Sequence, residues 1–370
     1  MKIKTITCHE VYNYGASLQE YALLKHLENL GHESETIHFK PPYLSKHFKL
    51  WSLPGNIAGK FFLIQWAYLI LKLPKRLVNL KRKRNFDKFS EKHIRATKKL
   101  YRFNDELKAD LPEADAYVCG SDQIWNSYFQ NGWDPAFYLD FVPDHKLKLS
   151  YAASFAIDSL AEEIKDFVKE KVARLDHVAV RESSGKTILE DLGFDNVTQV
   201  LDPVFLLDTD EWTPLMTKDV PNEGEYLIVY DFDNDPLIQG LAERLKKENG
   251  WKIYAFNELI SYADTNFYLD GPDVFLALAK NASCILANSF HAVAFSLLFH
   301  KNLAVFNRSD KINTRMRDML KSVGLSEFLI EDQEMANNYT LNTVNFDEVQ
   351  SKLDVLIDKS KMYLSNALTK

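Results

Sequence analysis

Short apolar runs alternate with longer amphipathic stretches along most of this chain. Residues 2–7 alternate polar and apolar side chains, the period of a strand. The turn Tyr12-Asn13-Tyr14-Gly15 follows. A helical pattern then runs over 16–29, with Leu18, Tyr21, Ala22, Leu23 and Leu27 on roughly one face and a stop at Gly31. A second strand is predicted at 33–39. Strand, turn, helix and strand open a doubly wound α/β domain.

After Pro41-Pro42, residues 43–110 read as an insertion, and the α/β pattern then resumes. Strands are predicted at 116–119, 148–154, 177–180 and 197–201, with helices at 160–173 and from 183. Polar residues 208–225 mark a linker. Beyond it, strands at 226–230, 252–256, 284–287 and 303–306 interleave with helices at 237–249, 273–281, 290–299 and 314–323. The reading is an α/β fold with two Rossmann-like domains facing a cleft: residues 1–215 with a helical insertion, residues 216–345, and a C-terminal helix (346–370) packing back onto the first domain.

Inside the insertion, Phe61 to Leu71 is strongly apolar and bounded by Lys60 and Lys72, too short to span a bilayer. Lys72, Lys75, Arg76, Lys81, Arg82, Lys83 and Arg84 follow, with no acid among residues 72–84. One reading is a core-packed helix followed by a solvated basic helix. The other is a surface resting on an anionic membrane.

Size and charge narrow the classes. With 370 residues, 46% of them hydrophobic, the chain can bury a large core. A formal charge of −7 argues against nucleic acid as a partner. Cys8, Cys119 and Cys284 lie far apart without CxxC spacing, which fits a reducing compartment. No basic segment followed by a long apolar core opens the chain, so a cytoplasmic location is expected, with peripheral contact at the inner face of the plasma membrane under the second reading of the insertion. There is no HExxH, GxSxG or P-loop, and Cys8, His9 and His38 do not form a metal pattern. No metal is implied.

Candidate chemistry sits where predicted strands end. Ala287-Asn288-Ser289-Phe290-His291 places Asn288 and Ser289 at a strand-to-helix turn and His291 on the first helical turn, where unpaired N–H groups favour an anion. Asn13 and Gly15 occupy a similar turn after the first strand. Gly120-Ser121-Asp122-Gln123-Ile124-Trp125-Asn126 mixes hydrogen-bonding side chains with an indole, a set that suits a saccharide, and Asp122 could act as a base. The alternative there is a capped helix with a packed Trp125. Arg181 and Asp202 each follow a strand; Arg181 could bind a carboxylate or phosphate, or pair internally with Asp202 or Glu182. Arg315 lies near the start of a later helix.

Together these segments resemble the polysaccharide pyruvyl transferase family. The likeness rests on Asn13 to Leu23, Gly120 to Asn126, Ser150 to Phe155, Val180-Arg181-Glu182, Leu201 to Val204, Asn288-Ser289-Phe290-His291 and Asn313-Thr314-Arg315, in that order over roughly residues 1–325 without the insertion. Ala292 departs from the glycine expected after the histidine. The resemblance implies a GT-B-like fold and pyruvate transfer from phosphoenolpyruvate, a co-substrate, to two hydroxyls of a saccharide, as a cyclic ketal in exopolysaccharide, capsule or cell-wall glycan. No cofactor is expected, and the acceptor is a saccharide, in one version lipid-linked. His291 and Asp122 are the expected catalytic residues. Arg181, Arg315, Ser289, Asn288, Asn13 and Gly15 would hold the donor; Gln123, Trp125 and Asn126 would hold the acceptor. A nucleotide-sugar glycosyltransferase and a non-catalytic saccharide-binding protein are the alternatives.

Overall fold

β1 (Lys2–Ile6) pairs in parallel with β2 (Glu33–Thr36) on one edge and β3 (Ala116–Cys119) on the other, so it is an interior strand, and its Ile3 and Ile6 are buried in separate apolar clusters. β4 (Leu147–Ser150) follows β3. β5 (Val178–Val180) and β6 (Val197–Gln199) pair with each other, and bridges from Leu149 to His177 and from Ala153 to Val180 join them to β4. The second sheet comprises β7 (Tyr226–Tyr230), β8 (Lys252–Phe256), β9 (Thr265–Asn266), β10 (Cys284–Ala287), β11 (Asn302–Phe306) and β12 (Leu329–Ile330). Its spatial order is β12-β11-β10-β7-β8-β9, all parallel. Strand order reverses at β1/β3 and at β7/β10, the switch points that open a crevice at the carboxyl ends of strands. This computed structural model describes residues 1–45, 51, 53, 61–221, 224–308 and 314–369. Asn313, one of the residues carrying the resemblance, lies outside them.

The main helices are α1 (Tyr14–Asn29), α2 (Phe62–His93), α3 (Glu162–Val172), α4 (Ser183–Asp191), α5 (Pro236–Asn249), α6 (Pro272–Asn281), α7 (Phe290–Leu298), α8 (Thr314–Val323) and α9 (Phe346–Ala367). Local chemistry sets their ends. Asn13 caps α1 by accepting from the Ala16 N–H at 3.2 Å. Asp235 caps α5, Pro236 occupies its first position, and Gly250 at φ +71° ends it.

Among the described residues, packing and hydrogen bonds join the sheets at several places. The core around the second sheet includes Tyr12, Tyr14, Leu18 and Ala22 from the first half of the chain. α9 buries Val349 and Leu353 in that core, then Leu364 and Ala367 beside Ile3, Leu23 and Ala116. Its Tyr363 hydroxyl donates to the Ser150 carbonyl at 2.9 Å. Ser183, opening α4, donates from its hydroxyl to Asp318 on α8 at 2.8 Å.

The insertion departs from expectation. Apolar and basic runs form one continuous helix, α2, through Pro74. Phe62, Leu63, Trp66 and Leu71 are exposed, so the apolar run is not packed in the core. Arg82, expected on a solvated or lipid-facing surface, is buried against the Tyr14, Phe86 and Tyr268 rings. The reason is geometric: only the C-terminal half of α2 reaches the junction between the sheets. Residues following α2 also rejoin the first sheet, through bridges from Thr36 to Ala96 and Phe39 to Tyr101.

Candidate active site

Six strand ends converge between the two sheets. Asn13 follows β1, Asp122 follows β3, Arg181 follows β5, Asp202 follows β6, Asn288 to His291 follow β10, and Arg308 follows β11. Asn13, Asp122, Gln123, Asn288, Ser289, His291, Arg308 and Arg315 line one open pocket of about 140 Å³, with Phe232, Phe290 and Met316.

His291 sits on the first turn of α7, and its ring occupies the space beside Gly15. A Cβ at Gly15 would lie 2.0 Å from His291 Nδ1. The expected donor contact at Gly15 is therefore corrected: the glycine makes room for the imidazole rather than for a ligand. His291 Nε2 lies 3.5 Å from Asp202 Oδ2, an ion-pair distance, and makes no hydrogen bond among the described residues.

Behind the pocket lies a buried charge network. Arg181 pairs with Asp202 through Nη1 and with Asp122 Oδ1 at 3.4 Å, and Arg315 Nη1 is 3.7 Å from the same Asp122 oxygen. Both guanidiniums rest on the Phe290 ring, at 4.8 Å and 5.6 Å from its centroid. Burial alone would raise the Asp122 carboxyl, but Arg181, His291 and Arg315 outweigh it and hold it below the ordinary carboxylate range. At Asp202 burial is likewise overcome, by His291 and Arg181, and the pKa is depressed. Burial, then Arg181, pulls Arg315 down to about 10, so it stays cationic at neutral pH. Burial raises Glu182, whose Oε1 accepts from the Phe155 and Ala156 N–H groups at 2.8 and 2.9 Å. It fixes the turn beside Arg181.

Several expected ligand contacts are committed elsewhere. Arg181 is buried and its charge faces two aspartates, so it positions carboxylates instead of offering a free fork to a donor. The Asn288 amide donates to Asp231 at 2.7 Å and accepts from the Phe232 N–H at 3.0 Å, which holds the loop after β7. Trp125 has no exposed surface: its indole stacks on Tyr138 at 5.2 Å and donates to the Phe137 carbonyl at 3.0 Å. Asn126 is buried and bonds to Gln123 Oε1 at 2.8 Å. Neither Trp125 nor Asn126 can touch an acceptor, because the turn after β3 buries Ile124, Trp125 and Asn126 in succession. Asp122, at φ +70°, and Gln123 are the two that face the pocket.

Two features escaped the sequence reading. Arg308 lies 4.3 Å from the Phe232 ring centroid and lines the pocket. Its place directly after a strand was a usable signal, the same one that singled out Arg181. The second is a cluster after β1. His9 Nδ1 bonds to Glu20 at 2.8 Å, and ligand atoms of His9, Glu10 and His38 lie within 4.8 Å of one another, without Cys8. Among the described residues these three are the one set placed to hold a metal ion, and the Lys40 ammonium already pairs with Glu10.

Two parallel sheets in Rossmann-like arrangement, with a histidine–carboxylate pair and arginines between them, define an α/β transferase-like site. A family model for polysaccharide pyruvyl transferase matches residues 13–310, and the chain belongs to that family. It is thus a transferase of polysaccharide biosynthesis. No protein with a curated description matches it. Similar solved structures include the UDP-N-acetylglucosamine 2-epimerase of Rickettsia bellii, 11% identical at TM-score 0.46 over 100% of this chain and 99% of that one. A glycosyltransferase of Streptomyces sp. SF2575 is 11% identical at TM-score 0.45, over 99% of each chain. These likenesses are distant and carry no functional weight.

Proposed function

We propose that this protein transfers pyruvate from phosphoenolpyruvate to two hydroxyls of a saccharide, closing a cyclic ketal and releasing phosphate. The observation that carries the reading is His291, backed by Asp202 and set in a pocket with Arg308 and Arg315. A small donor bearing carboxylate and phosphate needs such cations, and the N–H groups opening α7 after Ser289 add to them. Asn13 faces the same space from α1.

The donor's methylene carbon takes a proton, leaving its neighbouring carbon electrophilic. One saccharide hydroxyl attacks that carbon, its C–O bond to phosphate breaks, and a second hydroxyl closes the ring on the same carbon. The two hydroxyl protons balance the one delivered to carbon and the one carried off toward phosphate. His291 is assigned the proton at carbon and its recovery from a hydroxyl. Asp122, kept ionised by the arginines, accepts a hydrogen bond from an acceptor hydroxyl beside Gln123. The chain's own residues supply each role without a cofactor, and the product belongs to an exopolysaccharide, capsule or cell-wall glycan.

Incubation with phosphoenolpyruvate and a panel of oligosaccharides, free and lipid-linked, tests the reading. Phosphate release matched by an added pyruvate mass on one acceptor is expected. Thermal stabilisation by a nucleoside diphosphate, with no phosphate released across the panel, would replace it with the glycosyltransferase reading.

A further inference from the structure

The N-terminal half of α2 carries large apolar side chains that the described part of the chain leaves uncovered. Phe62, Leu63, Ile64, Trp66, Ile70 and Leu71 are each 44–78% exposed. At 100° per residue they span roughly 200° of the helix surface, with Gln65 and Lys72 on the remaining arc, the broad apolar face of a helix that lies in an interface. Ten residues of helix extend about 15 Å, roughly half a hydrocarbon core. No helix among the described residues is long and apolar enough to cross a membrane.

Charge narrows the partner. No acid occurs among residues 61–86, in a chain whose net charge is −7. Lys72, Lys75, Lys81 and Arg84 are exposed along the same helix, whereas Arg76 and Arg82 turn inward and Lys83 pairs with Asp87. A second copy meeting this face about a two-fold axis would present the same acid-free stretch, so it brings no carboxylate from this helix segment to the four exposed cations. An anionic surface satisfies both halves of the pattern.

We propose that the N-terminal half of α2 docks the protein on an anionic lipid leaflet. Apolar side chains enter the acyl boundary and the four exposed cations sit among the headgroups. The other half of α2 is fastened to both sheets. Arg82 donates to the Tyr12 carbonyl at 3.0 Å and to the Tyr268 carbonyl, and Asn85 donates to the Leu269 carbonyl at 2.9 Å. A docked α2 therefore holds the cleft at a set height over the leaflet. The proposal goes beyond the reaction itself and does not depend on the donor.

Flotation of the full chain with vesicles tests it. With vesicles of about one-third phosphatidylglycerol at low salt the protein should float, with weaker binding to neutral vesicles and release at high salt. Lys72→Gln, Lys75→Gln, Lys81→Gln and Arg84→Gln together should weaken binding by about fivefold for each charge removed. Phe62→Ser, Trp66→Ser and Ile70→Ser together should abolish it while the unfolding midpoint is kept, because these side chains are exposed. Brominated lipid should quench the wild type more than Trp66→Phe. Protein that stays at the bottom with anionic vesicles at low salt overturns the proposal. So does undiminished binding by the apolar variant, or a dimer that the apolar variant converts to monomer. The vesicles carry no substrate, so this outcome and that of the phosphate-release assay are read separately.

Discussion

His291 is defined as much by what lies beside it as by its own chemistry. The imidazole occupies the volume that a Gly15 side chain would take, and Asp202 faces its Nε2. His291→Ala should lower turnover by about a hundredfold or more while the fold survives, read as steady-state phosphate release. Gly15→Ala should act through the same ring: its methyl would displace the imidazole, cutting turnover by about tenfold or more with donor KM changed far less. Equal turnover in that variant and the wild type would mean that the ring position is not critical. Trp125 behaves differently. Buried on Tyr138, it should cost about 3–5 kcal/mol of stability on Trp125→Ala, read in thermal or urea unfolding, with no acceptor-specific change in KM. His291, Asp122 and Arg315 were legible because a strand end or helix start is visible in sequence. The inward turn of Trp125 was one of two readings left open, a packed indole or a saccharide contact, because the choice depends on Tyr138, whose pairing no local pattern announces. Of the two aspartates paired with Arg181, Asp202 was among the alternatives left open, whereas Asp122, 59 residues earlier, was not.

Elements followed the same division. Strands such as β3, β7, β8 and β10 were legible to the residue because both faces are buried and the apolar run ends where burial ends. α2 was legible as apolar and basic runs but not as one helix with an exposed end and a clamped end. That distinction is set by contacts with Tyr12, Tyr14 and Tyr268, which lie 68 to 186 residues away. Arg82 is the test of the clamp. Arg82→Gln should lose the three-ring contact and leave carbonyls and the Tyr14 hydroxyl short of partners, costing about 2–4 kcal/mol. The drop should appear in the unfolding midpoint together with faster proteolysis at the junction between the sheets. A variant as stable and as protease-resistant as the wild type would mean that α2 is only laid against the domains. Lys81→Gln, one residue away but exposed, should leave both readouts unchanged.

At the scale of the whole molecule, the two sheets are held together by α1 with the second-sheet core, by the clamped half of α2 and by α9, and α1 meets α9 electrostatically. His26, in the last turn of α1, is buried with Nε2 unpartnered among the described residues. Burial, helped by the Lys361 charge on α9, pushes its pKa down to about 4. An unfolded imidazole takes its proton near 6.5. Between those values the unfolded chain binds the extra proton and the folded chain does not. The His26 contribution to stability is therefore complete above about pH 6.5 and is lost progressively as the pH falls toward about 4. His9 runs the other way: burial opposes its charge, but Glu20 prevails and raises its pKa, so its contribution is present at low pH and is lost as the pH rises through the folded value. Wild type alone would mix these opposed slopes. The difference in unfolding midpoint between wild type and His26→Gln removes the His9 part, along with every other group common to both chains. That difference should shift steadily in favour of the variant from pH 6.5 down to about 4 and stay flat above 7. A difference independent of pH over that range would mean that His26 is protonated inside the folded protein, and that the α1–α9 junction admits the charge that its burial is expected to exclude.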